Sequence, residues 1–112
     1  MSESPILKFG DFFNCSVDHL PPKITILTFG GRFNQCVYEL PKCVIELTFG
    51  RYFNQPVTNL PPVKIITFGG HFQQPLDQLP KYVEKIIIIN SLQLLKNIPK
   101  TITVVEKHEK DY

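Results

Sequence analysis

Apolar residues in this chain return in blocks rather than on a helical beat. Leu7, Leu27, Leu47, Ile66 and Ile86 form one column of matching positions, and Phe9, Phe29, Phe49, Phe68 and Ile88 form another two residues on. Residues two apart share a face of a strand, so each Leu-Thr-Phe block reads as a short half-buried strand with Leu and Phe inward and Thr outward. The four Phe-Gly pairs are separated by 20, 20 and 19 residues, and a Leu-Pro pair lies 11 residues after each Phe-Gly phenylalanine. A period near that length is the signature of stacked coils. Copies of the strand laid about 4.8 Å apart would form a parallel sheet.

The rest of each coil follows from its punctuation. Glycine after the phenylalanine, at Gly10, Gly30, Gly50 and Gly69, gives access to positive φ and predicts a sharp exit from the strand. A second aromatic column, Phe13, Phe33, Phe53 and Phe72 with Leu92 after it, turns back into the core. Val17, Val37, Val57, Leu76 and Leu95 follow, then Leu20, Leu40, Leu60, Leu79 and Ile98. Proline after each of the first four leucines disfavours helix there. A coil is therefore strand, glycine corner, short irregular or 3₁₀ return, and proline corner, and long helices are excluded. The expected fold is a mainly-β repeat solenoid in one domain, residues 1–112, with about five coils of 19–20 residues. Residues 6–85 hold four regular repeats, 86–105 a degenerate C-terminal capping coil with a last strand within Thr101 to Val105, and 106–112 a charged tail. One coil alone cannot bury its inward side chains, so the stack is expected to fold as a unit.

The repeated Leu-Thr-Phe-Gly and Phe-Asn-Gln-Pro strings, over roughly residues 6–85, resemble the FNIP-type repeat, a leucine-rich-repeat-like unit of social amoebae and of giant viruses that infect amoebae. Phe53-Asn54-Gln55-Pro56 is the closest match. Phe33-Asn34-Gln35-Cys36 departs at its last position, Phe72-Gln73-Gln74-Pro75 at its second, and Phe13-Asn14-Cys15-Ser16 at its third and fourth. The resemblance implies a leucine-rich-repeat-like stack. Viral members often carry an amino-terminal F-box, which implies a substrate adaptor of a ubiquitin ligase. Met1 stands five residues before the first coil, so no F-box is expected here.

Composition narrows the chemistry. A net charge of +2 with dispersed lysines is too small for a nucleic-acid footprint, and Lys81, Lys85, Lys96 and Lys100 read as a solvated face. The longest apolar run, Ile86 to Ile89, is far short of the roughly 20 residues of a membrane helix. Residues 1–5 lack the basic and apolar regions of a secretory signal. Cys15, Cys36 and Cys43 have no metal-ligand spacing and read as free, partly buried thiols of a reducing, cytoplasmic compartment. His19, His71 and His108 occupy unrelated columns and gather no metal. No phosphate loop or nucleophile signature is present. Neither a cofactor nor catalysis is expected.

Three columns remain as candidates. Asn14, Asn34, Asn54 and Gln73 invite a ligand, yet a buried amide bonding the backbone of the adjacent coil is the stronger reading. Lys8, Thr28, Thr48, Thr67 and Ile87 point outward from the strands; threonine suits such positions, and this face is where horseshoe-like repeats dock partners. Phe12, Arg32, Tyr52, His71 and Ser91 line one exposed edge between the glycine corner and the second phenylalanine. Aromatic and arginine side chains dominate interface energetics, so this edge is the leading protein-binding candidate. The expected function is a non-catalytic protein–protein interaction module. The alternatives are a structural part of a viral or other large assembly, with self-association through an uncovered end coil, and a ubiquitin-ligase adaptor that borrows its ligase contact from another chain.

Overall fold

The computed structural model describes residues 5–90 and 98–108. Six strands, β1 (Ile6–Lys8), β2 (Ile26–Thr28), β3 (Glu46–Thr48), β4 (Ile65–Phe68), β5 (Lys85–Ile89) and β6 (Thr103–Lys107), form one sheet. Their spatial order is their chain order, and every pairing is parallel. Leu7 pairs with Leu27, Leu27 with Leu47, Leu47 with Ile66, and Ile66 with Ile86, so the first apolar column is also the sheet register. The described residues contain no helix and no 3₁₀ turn; the return path of each of the first four coils is irregular.

Both phenylalanine columns stack continuously. Centroids along Phe9, Phe29, Phe49 and Phe68 are 5.3, 5.8 and 5.8 Å apart, and along Phe13, Phe33, Phe53 and Phe72 they are 6.1, 6.1 and 6.0 Å apart. Within a coil the two rings lie 3.7–4.1 Å apart. The between-coil separations fall where offset stacking adds attraction beyond area burial. Phe33, Phe49, Phe53 and Phe68 are fully buried, whereas Phe9 and Phe13, in the first coil, are half-buried. A further inward column, Ile24, Val44, Val63 and Val83, lines the core just before the strands. At the other end, Val104 continues the inward leucine column but is 40% exposed.

The glycine corners do not use positive φ, contrary to the expectation from their freedom. At Gly30 and Gly50 glycine is required by close approach. A Cβ on Gly30 would sit 2.7 Å from the Asp11 Cα and closer still to the Gly10 carbonyl, and one on Gly50 would be 2.8 Å from the Gly31 Cα and against the Gly30 carbonyl. At Gly10, in the first described coil, a Cβ would meet nothing within 4 Å. The fifth coil turns instead at Asn90, whose φ of 52° lies in the left-handed region that asparagine tolerates and whose N–H donates to the Lys107 carbonyl at 2.8 Å.

The proline corners close with a turn from Pro41 to Val44 and from Pro80 to Val83, with N···O distances of 3.3 and 3.2 Å. The 19-residue coil drops one residue here: Val63 N–H donates to the Pro61 carbonyl, two residues back, at 2.6 Å. Strand β6 reaches Lys107, so Glu106 and Lys107 pair with Ile88 and Ile89 rather than lying in a tail. Ser91, Leu92 and Leu95 lie outside the described residues.

Candidate functional site

The edge column is held at a fixed rise by the backbone. Arg32 N–H donates to the Asp11 carbonyl at 3.0 Å, Tyr52 N–H to Gly31 at 3.0 Å, and His71 N–H to Arg51 at 3.2 Å. Two residues on, the amide column locks the same coils from its other side. Asn14 Oδ1 accepts from Asn34 N–H at 2.8 Å, Asn34 Oδ1 from Asn54 N–H at 2.9 Å, and Asn54 Oδ1 from Gln73 N–H at 2.9 Å. A glutamine in the next coil joins each of these oxygens, through Nε2 of Gln35, Gln55 and Gln74 at 3.0–3.1 Å. The amides are less buried than expected: Asn34 and Asn54 are half-buried, while Asn14 and Gln73 are exposed. The three asparagine side chains are occupied in joining coils, which accounts for their recurrence, whereas Gln73 joins the ladder through its backbone N–H alone.

Between these ladders the edge side chains project. Phe12 is 78% and Tyr52 46% exposed. The Arg32 guanidinium lies 4.8 Å from the Phe12 ring centroid, and the Tyr52 and His71 rings are 4.7 Å apart and tilted by 43°. His71 Nδ1 is also 3.1 Å from the Arg51 carbonyl oxygen. The edge and the outward strand column meet in an open groove of about 520 Å³. Lys8, Thr28 and Thr48 line it from the strands, and Phe12, Arg32 and Tyr52 from the edge. Thr67 departs from the expected outward exposure. It is 8% exposed, flanked in register by Thr48 and Ile87, and it does not line the groove. His71 stands beyond Tyr52, outside the lining.

Two groove residues, Asp11 and Arg51, were not singled out from the sequence. They share a column with Gly31 and Gly70, so no chemistry repeats there to signal them. The cysteines are corrected in the other direction: Cys15, Cys36 and Cys43 are free but exposed, each on the return path or proline corner of its coil. His19, His71 and His108 are exposed, and the described residues contain no group of three metal-ligating side chains. No helix among the described residues is long and apolar enough to cross a membrane.

No family model and no curated protein matches the chain. Among solved structures it is similar to CroV588, a giant-virus protein described as a novel circular LRR protein, with 28% sequence identity and a TM-score of 0.69. The match covers 92% of this chain and 20% of that one, so the chain spans about a fifth of its neighbour's length. With its parallel strands in chain order and its columns in register, the chain is a leucine-rich-repeat-like β-solenoid.

Proposed function

We propose that the chain is a non-catalytic protein-binding module built of FNIP-type repeats and acting in the cytoplasm. The observation that carries this reading is the groove in which Phe12, Arg32 and Tyr52 meet Lys8, Thr28 and Thr48. Backbone and amide ladders fix the spacing of these side chains before any partner arrives, which lowers the ordering cost of binding. Solenoids use such rigid lattices as extended contact surfaces. Affinity purification with mass spectrometry tests it, comparing the wild type with an Arg32→Ala, Tyr52→Ala, His71→Ala triple variant. Partners should be lost from the variant while its melting curve is kept. An unchanged partner set would remove the edge from the site.

A second reading, a structural part of a larger assembly, is favoured by the open ends of the core. Phe9, Phe13 and Leu20 at one end, and Ile98, Ile102 and Val104 at the other, are only partly covered by the described residues. Size-exclusion chromatography with light scattering separates the two readings. A monomer at every concentration counts against assembly.

A further inference from the structure

We propose that the groove takes an acidic, extended segment of a partner protein, its carboxylates held by Lys8, Arg32 and Arg51. This rests on the groove being the contact surface and adds the chemistry of what enters it. Three cations line the groove against one carboxylate, Asp11, and all four side chains are exposed. Among the described residues none of the three cations makes an ion pair. The Arg32 guanidinium carbon lies over the Phe12 ring, a contact that does not use up its N–H donors, which stay available to a carboxylate. Clustered like charges in a cleft raise the local concentration of the opposite charge.

The shape agrees with a chain rather than a bulky group. The groove crosses successive coils at their glycine corners, and a Cβ on Gly31 would meet no atom within 4 Å beyond its two chain neighbours, so the space above that residue is open. The Thr28 and Thr48 side chains give it a hydrogen-bonding floor, and Phe12 and Tyr52 supply apolar walls. The contrast with another groove supports the assignment. That one, beside the proline corners, is of similar size but sets Glu39 against Lys42 and presents no excess of either sign.

The test is selection from a library of random dodecapeptides on the immobilised full chain. Recovered peptides should be enriched in Asp and Glu over the unselected pool. Their recovery should fall by about tenfold or more on an Arg32→Glu, Arg51→Glu variant, the change expected when close charge pairs are lost. Gly31→Trp should abolish recovery by filling the groove; Lys8→Glu, a single exposed change, repeats the charge test if the double variant fails to fold. Acidic peptides indifferent to these substitutions would overturn the proposal. Neutral or basic peptides that nonetheless depend on Arg32, Tyr52 and His71 would overturn it and leave the edge as the binding surface. Recovery of no peptide that depends on the edge would overturn both.

Discussion

The side-chain oxygen of Asn34 lies 2.9 Å from the backbone nitrogen of Asn54, twenty residues away. The same oxygen takes Gln55 Nε2 at 3.1 Å. One acceptor therefore does for two coils what a strand ladder does elsewhere, on the side of the solenoid that has no strand.

Asn34→Ala should lower stability by about 1–3 kcal/mol, because the Asn54 N–H is left without its acceptor. Asn34→Asp should cost less, since these bonds use only the acceptor oxygen. Urea unfolding of the three proteins checks this; equal losses for Ala and Asp would mean that the acceptor is not what matters.

Glycine substitutions should split by position. Gly50→Ala should cost about 1–3 kcal/mol, as overpacking against backbone does, because its Cβ would press on Gly30 and Gly31. Gly31→Ala should stay within about 0.5 kcal/mol. Thermal melts of both decide it, and matching midpoints would refute the close-approach explanation.

Phe53→Ala should cost about 3–5 kcal/mol, since it removes a fully buried ring from the middle of a stack. Phe13→Ala, at the half-buried start of the same column, should cost clearly less. Denaturant midpoints measure the difference. Equal losses would show that the first coil is covered as well as the third.

Phe12→Ala should leave stability within about 0.5 kcal/mol, because the ring is 78% exposed. It should still weaken partner capture, by removing one wall of the groove and the ring beneath Arg32. A pull-down scored beside a melt separates the two effects.

Much of this was legible because repetition multiplies a weak signal. One Leu-Thr-Phe block is an ambiguous strand, but two such blocks in phase with Leu7-Lys8-Phe9 and Ile66-Thr67-Phe68 specify both the register and the ring stack. What occurs in a single coil carries no such redundancy, and Arg51 and Asp11 went unnoticed for that reason. The column of Ile24, Val44, Val63 and Val83 keeps the same 19–20-residue period as the others, but it stands beside the proline corners with no Phe-Gly pair to mark it. The glycine corners are legible but their cause is not: a residue without Cβ suits both positive φ and close packing, and at Gly30 and Gly50 only the neighbouring backbone distinguishes them.

At Pro61 the turn closes over two residues instead of three, and the aromatic stack on either side is undisturbed. The contour length of a lap is thus decoupled from its cross-section at this corner. A fluorophore or short peptide tag grafted beside Pro62 would ride on the molecule without being felt by the rings, and would give a reporter for the binding and assembly measurements.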